Sequence, residues 1–425
     1  MRIVRLFLLL VAFAGSGACA AEPAPEFRQR AADLVAFLKG GEAPDRLFAP
    51  AFLAAIPPDK VNGVAAQLRQ SYGPAGSLAG LEAGTPYSGT VHVAYEKAVL
   101  DFTMSLDTAP PHLVTLLLLA GTGAASGDSV GSVVSDLKAL PGSVSVAAAR
   151  LDDKGPQLFL SEGGETPMAI GSSFKLWILA ELVREVKAGE RHWGDVVPLG
   201  RASLPFSTLR TWPERSPITL HTLAALMISE SDNTAADTLL TVLGREKVER
   251  LLPALGVRGA GRNRPLLTTR EAAILKADAG LRKRWLAADE AGRRRLLAGE
   301  ASGIDVRALE LGQFDAAPIA IAEVEWFASA DDLIRTLDWL RRSGDATALA
   351  ILAINPGLPQ ATRDFTYVGY KGGSESGVLS LNFLLRGKDG RWMAVGVAWN
   401  DPAAKVDENR LLLLVSRLLP LLAKG

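Results

Sequence analysis

Residues 170–187 read IGSSFKLWILAELVREVK, and the reading of this stretch decides the reading of the rest. Leu176, Leu179, Leu182, Val183 and Val186 recur at helical spacing, which predicts an amphipathic helix. Ser172 then stands at the helix start, with Lys175 one turn later on the same side. A serine hydroxyl is a poor nucleophile until a base takes its proton. A lysine can be that base only where desolvation or neighbouring charge lowers its pKa. The unpaired N–H groups at a helix N-terminus favour the negative charge that develops during attack. Ser-x-x-Lys alone is too short to specify this chemistry.

Two further segments extend it. Met227 to Ala236, MISESDNTAA, places Ser231-Asp232-Asn233 beyond a helical segment that starts near Thr219. Lys371-Gly372-Gly373 follows late in the chain, at the end of a predicted strand. Around these motifs, Val144–Leu151 and Gln157–Ser161 read as paired strands. Phe365–Lys371, Gly377–Leu385 and Arg391–Trp399 read as three late strands, and Glu408–Ala423 as a final apolar helix. Strands at both ends of a helical middle predict one sheet assembled from distant segments, with helices inserted. The fold class is α+β. Leu275–Gly303, dense in Arg, Lys and Glu, reads as helices with a solvated charged face.

Ser-x-x-Lys, Ser-Asp-Asn and a late Lys-x-Gly, in this order, resemble the motifs of class A β-lactamases and penicillin-binding serine hydrolases. Ile218-Thr219-Leu220, Asp237, Leu239 and Leu240 strengthen the resemblance, as does Leu267-Thr268-Thr269-Arg270-Glu271-Ala272, which is similar to the family's Thr-Thr helix start beyond the Ω-loop. It implies that Ser172 becomes acylated, with Lys175 as base and Ser231 as proton relay to the leaving group. Asn233 and Lys371 would bind substrate together with Gly373 and Ser374, and Asp232 would be a structural cap. The backbone N–H groups of Ser172 and Ser374 would form an oxyanion hole, often worth ~3 kcal/mol per donor.

The sequence departs from that pattern twice. Gly372 stands where the family has Thr or Ser, so a hydroxyl for a substrate carboxylate is missing. Between Gly256 and Thr268, GVRGAGRNRPLLT holds no acid, whereas class A enzymes place their deacylating Glu in this region. Glu271 reads as a capping-box residue of Thr268-x-x-Glu271. Asp237, where the family has an Asn that bonds the loop glutamate, would repel one. Glu325 is a candidate substitute base, although its place in VEWFAS favours a solvated strand residue. Deacylation is therefore expected to be slow or atypical. A competent β-lactamase with another base, a D-Ala-D-Ala peptidase or esterase, and a sensor that does not turn over are the alternatives.

Upstream, Glu26–Lys39 and Lys60–Tyr72 read as helices. Val91, Val93 and Tyr95 share one strand face, Phe102, Met104 and Leu106 another, and His112–Ala120 reads as a further strand. Helices followed by an antiparallel sheet are similar to the nuclear-transport-factor-2 and ketosteroid-isomerase fold. Asp101 falls on a polar strand face and reads as solvated. The expected division is a signal peptide over 1–20, an NTF2-like domain over 21–121, a Gly/Ser-rich linker over 122–140 and the hydrolase domain over 141–425. This architecture is similar to that of β-lactamase-like proteins associated with clavam biosynthesis.

Composition bounds the rest. With 425 residues, 48% hydrophobic and 22% charged, the chain is long enough for two domains. Lys+Arg and Asp+Glu number 46 each, which lacks the basic excess of a nucleic-acid binder. The single cysteine, Cys19, lies in a segment with Arg2 and Arg5, an apolar run to Ala14, and the small-x-small pattern Ala18-Cys19-Ala20. This predicts export, to the periplasm or outside, after cleavage following Ala20. Ser16 stands where a lipidation signal usually has Leu. The apolar run falls short of the ~20 residues that span a bilayer. The chain after Ala20 has no cysteine, so no disulfide or Cys-rich zinc site is expected. His92, His112, His192 and His221 lack ligand spacing, and the Gly-rich segments lack a nucleotide-binding context. No metal and no cofactor are expected, the partner being a small-molecule acyl substrate. Trp212 and Tyr370 are candidate aromatic walls of its cleft.

Overall fold

The computed structural model describes residues 22–123, 127–203, 207–306, 309 and 312–424. The segment read as a signal peptide, with Cys19, lies outside the described residues. The chain divides into two compact units, Met1–Ser126 and Gly127–Gly425.

The first unit opens with helices α1 (Pro25–Lys39), α2 (Pro44–Leu47), α3 (Pro50–Ala55) and α4 (Pro58–Tyr72), each begun by a proline. Proline suits the first helical turn because its missing N–H would be unpaired there anyway. Strands β1 (Ala75–Thr85), β2 (Ser88–Tyr95), β3 (Val99–Leu106) and β4 (Val114–Gly123) form an antiparallel sheet in sequential order. α1 lies against β1 and β2, and Val91, Val93, Tyr95, Phe102, Met104 and Leu106 are buried as their alternation predicts. β1 escapes the sequence reading because AGSLAGLEAGT has no alternation. Asp101 is not solvated. The β2–β3 register sets it opposite His92, and its buried carboxylate meets His92 Nδ1 at 2.6 Å.

In the second unit, α5 (Val130–Lys138) precedes β5 (Ser143–Asp152) and β6 (Gly155–Glu162). The expected linker over 122–140 therefore needs correction: its start completes β4, and its second half is α5, begun by a Ser129–Ser132 capping box. Further on come β7 (Met168–Ala169) and α6 (Lys175–Lys187). A short hairpin of β8 (Val196–Pro198) and β9 (Pro217–Thr219) leads to α7 (Leu220–Ser229), α8 (Asn233–Leu243) and α9 (Arg245–Leu251). Helices α10 (Thr269–Ala277), α11 (Ala279–Ala287), α12 (Glu290–Leu296) and α13 (Gly312–Ala316) follow. The chain then forms β10 (Phe327–Ala328), α14 (Ala330–Ser343), α15 (Ala346–Ala353), β11 (Phe365–Glu375), β12 (Val378–Gly387), β13 (Trp392–Asn400) and α16 (Glu408–Ala423).

One antiparallel sheet, ordered β11-β12-β13-β5-β6, joins the two ends of this unit. Both faces are covered along the inner strands β12, β13 and β5, which is why these read as continuous apolar runs. Val146, Ala148, Phe383, Leu385, Val395 and Val397 pack with α5 and α16. Ala147, Ala149, Leu384 and Ala394 face the helical layer, where Phe174, Trp177, Ile334 and Leu337 lie. α6 is the central helix of that layer. It is more deeply buried than an amphipathic surface helix, because Glu181 and Glu185 are also covered, paired with Arg184 and with Arg191 and Lys247.

The turn between α7 and α8 is fixed by Asp232. Its buried carboxylate accepts N–H bonds from Ala235 at 2.8 Å and Leu209 at 3.1 Å, and the Ser207 hydroxyl at 2.9 Å. It therefore caps α8 and anchors the Ser207–Leu209 segment together. Asp232→Ala removes the cap and leaves the N–H groups of Ala235 and Leu209 unpaired, an expected loss of about 2–3 kcal/mol. Urea unfolding monitored by circular dichroism measures it.

Candidate active site

Gly171–Phe174 form a 3-10 turn that runs straight into α6. Gly171 has φ +49°, a left-handed conformation that glycine adopts without strain. Its N–H donates to Glu325 Oε2 at 3.2 Å. β11 passes against this turn backbone to backbone. A Cβ on Gly373 would overlap Ile170 O and lie 2.6 Å from Ser172 N, so only glycine permits the approach. A Cβ on Gly171 would lie 3.0 Å from Ser374 N. The main chains of Ser172 and Ser374 are thus held side by side.

Lys175, the first residue of α6, is fully buried. Its Nζ donates to Ser231 O at 2.5 Å, to Asn233 Oδ1 at 2.7 Å and to Ser231 Oγ at 3.2 Å. Ser231 can offer both its carbonyl and its hydroxyl because it sits at φ +57° in the turn that Asp232 fixes. Lys371 Nζ reaches the same Ser231 Oγ at 3.0 Å and donates to Gly372 O at 2.5 Å. With two amines donating to it, Ser231 Oγ keeps its own proton for a third partner. Ser172 is partly exposed, and among the described residues its hydroxyl has no hydrogen bond to Lys175.

Burial lowers the Lys175 pKa from the usual lysine range to about 7, although the carboxylates of Asp237 and Asp232 pull it upward. Burial, reinforced by Lys175, holds Lys371 well below the usual range too. A neutral amine is therefore accessible to Lys175 near neutrality, as a general base requires.

Ser172, Ser231, Asn233, Lys371, Gly373 and Ser374 line one cavity of about 570 Å³, while Lys175 lies beneath it. Tyr370 also lines it, tilted against Phe383 at a ring separation of 4.9 Å. Trp212 is exposed and does not line it. A Cβ on Gly372 would overlap the Tyr370 hydroxyl, so that hydroxyl occupies the room a threonine side chain would take. The absence of a side chain at 372 and the presence of Tyr370 are one packing solution.

Of the acidic residues singled out in the sequence, Glu271 falls as read and Glu325 does not. Asp237 is turned away to the start of α10, accepting N–H bonds from Thr269 at 2.7 Å and Arg270 at 3.0 Å. Burial raises its pKa. Glu271 completes the Thr268 capping box and pairs with Arg245 at 2.7 Å. Glu325 is not a solvated strand residue. It is buried, and its Oε1 meets Lys276 Nζ at 2.7 Å while its Oε2 holds Gly171. Lys276 Nζ in turn lies 2.5 Å from both oxygens of Glu375, which lines the cavity. Lys276 and Glu375 were missed in the charged stretch and at the strand end. The available signal was position: Lys276 shares a helix face with Thr269, Ala272 and Ala273, all of them buried.

If Lys175 takes the proton of Ser172, acylation by an activated ester rises with pH as the ammonium is lost and levels above about 7. Below that value the rate falls about tenfold per pH unit. Stopped-flow acylation between pH 5 and 9 tests this dependence, with Lys175→Ala expected to abolish the reaction.

Residues 130–301 match the beta-lactamase enzyme family. No curated protein matches the chain. Among solved structures, a beta-lactamase from Sphaerobacter thermophilus is 19% identical with a TM-score of 0.49, the match covering 70% of this chain and 96% of that one. PBP-A is 14% identical, with a TM-score of 0.47 and coverage of 69% and 94%. A beta-lactamase from Francisella tularensis is 13% identical, with a TM-score of 0.47 and coverage of 69% and 97%. The second unit has a β-lactamase/transpeptidase-like fold and, over residues 130–301, carries the pattern of the beta-lactamase enzyme family.

Proposed function

We propose that the second unit is a serine hydrolase that transfers an acyl group to water through acyl-Ser172, from a β-lactam, ester or peptide-like carbonyl. The observation that carries this reading is the placement of Ser231 Oγ between two buried amines, those of Lys175 and Lys371. Ser172 Oγ attacks the carbonyl carbon and its proton passes to the Lys175 amine. The bond from that carbon to the leaving nitrogen or oxygen breaks. Ser231 gives its proton to the leaving atom and is reprotonated by the Lys175 ammonium. Lys175 thus ends the step neutral, as it began.

The other residues support this sequence. Asn233 Oδ1 holds the Lys175 amine in place, and the Ser172 and Ser374 N–H groups are the candidate donors to the developing oxyanion. Lys371, Gly373 and Ser374 form the substrate-binding wall. Lys371 presents its Nζ to a substrate carboxylate, whose negative charge would favour the ammonium form, and Tyr370 stands where the usual hydroxyl of the third motif would be. With no acid between Gly256 and Thr268, deacylation follows an atypical route. No cofactor enters any step. The reading extends to an exported protein cleaved after Ala20, and to an NTF2-like fold for the helices and sheet of the first unit.

Intact-mass spectrometry after exposure to a fluorescent penicillin or an activated ester tests the proposal. Wild type is expected to gain the acyl mass, and Ser172→Ala none. Absence of an adduct with every donor would refute it. Continued turnover of a chromogenic cephalosporin marks a β-lactamase, preference for peptide or ester donors a peptidase or esterase, and a single stoichiometric burst a sensor.

A further inference from the structure

The buried charges beside the nucleophile form a chain that the acylation steps do not use. Glu325 Oε2 accepts the N–H of Gly171 and that of Trp326, each at 3.2 Å, so this carboxylate is committed to the backbone of the nucleophile turn. Its Oε1 and both oxygens of Glu375 share one ammonium, Lys276, which is itself buried. The side chains are 1% exposed for Glu325, 4% for Lys276 and 29% for Glu375. Only Glu375 of the three lines the cavity into which Ser172 opens.

Glu375 is also placed by the sheet. In β11, alternate residues share a face, so Lys371, Gly373 and Glu375 all point to the side on which Gly373 touches the Ser172 turn. Ser374 lies between, its N–H beside Gly171. The other carboxylates of the cavity wall are less suited. Glu230 is exposed and accepts the Thr208 hydroxyl at 2.7 Å, and Glu408 is exposed at the start of α16.

We infer that Glu375 is the general base of deacylation, activating the water that attacks the acyl-Ser172 carbonyl. The inference rests on the acyl-Ser172 reading above. The water oxygen bonds to the carbonyl carbon, and one water proton passes to the Glu375 carboxylate. As the bond between that carbon and Ser172 Oγ breaks, the proton returns to the serine oxygen, and the free acid leaves. Lys276 keeps Glu375 aimed, and Glu325 ties Lys276 to the nucleophile turn, so both are positioning residues. The charged groups facing Glu375 are Lys276 from α10 and Glu325 from the segment before β10. Burial and the neighbouring Glu325 carboxylate push the Glu375 carboxyl up to about 8, against the pull of Lys276. A base of that strength is well matched to water activation near neutral pH.

The test separates formation of the adduct from its decay, both followed by intact mass with an activated ester. Wild-type adduct is expected to decay at a rate that rises with pH and levels above about 8. Glu375→Gln should still form the adduct, with decay slowed about 100-fold or more and the pH inflection lost. Glu375→Asp should restore part of the rate and keep the inflection. Decay of the Gln adduct at the wild-type rate would overturn the inference. So would equal slowing of formation and decay, which marks a purely structural bridge, or a wild-type adduct that persists at every pH. Should Glu375→Gln fail to fold, the wild-type pH profile and the Asp variant still decide. A wild type that forms no adduct at all refutes the acyl-Ser172 reading itself, an outcome distinct from these.

Discussion

A primary amine with no exposed surface is the constraint from which the second unit is built. Burying Lys175 as a bare ammonium would be prohibitive, and the surrounding structure is arranged to supply acceptors. Ser231 adopts a left-handed conformation so that its carbonyl and hydroxyl both face Nζ. Asn233 begins α8 so that its amide oxygen completes the set, and Asp232 between them caps that helix and pins the turn. Acceptors keep the charged form tolerable, while the loss of water makes the neutral form accessible. Lys371 repeats the arrangement from the sheet and meets the first amine at the same hydroxyl.

A second constraint acts on the main chain. The turn carrying Ser172 and the strand carrying Ser374 approach so closely that Gly373 can have no side chain. The Glu325–Lys276–Glu375 chain of ion pairs ties the two segments together. Such a bridge gains little net stability over apolar packing, because its ions must be desolvated. Its value is geometric: it fixes the Ser172 turn relative to the wall of the cavity. The same economy of space recurs at Gly372, where the strand forgoes a side chain and Tyr370 fills the gap.

The sequence made much of this readable because several of its signals are local. Period-two alternation marks β2 and β3, apolar runs mark the sheet of the second unit, and Thr268 with Glu271 marks a helix start. Ser172, Lys175, Ser231, Asn233 and Lys371 are legible as short motifs; the amines of Lys175 and Lys371 meet at the Ser231 hydroxyl, and Ser172 and Asn233 line the same cavity. The remainder depends on contacts between residues far apart in the chain. Lys276 meets Glu375 across 99 positions and Glu325 across 49, and each of those residues, read alone, suits solvent. His92 and Asp101 escaped for the same reason, since only the strand register sets them opposite. α5 hid inside a segment whose Gly/Ser content reads as linker, although its apolar face covers the sheet.

The account turns on whether Lys175 is a neutral base within reach of physiological pH, and that can be observed without any substrate. Lysine labelled with carbon-13 at Cε, with the Lys175 signal assigned by its loss in Lys175→Arg, reports the charge on the neighbouring nitrogen. The expected titration has its midpoint at about 7. A midpoint near the ordinary lysine value of about 10.4 would contradict the account, because the amine would stay charged throughout the working range.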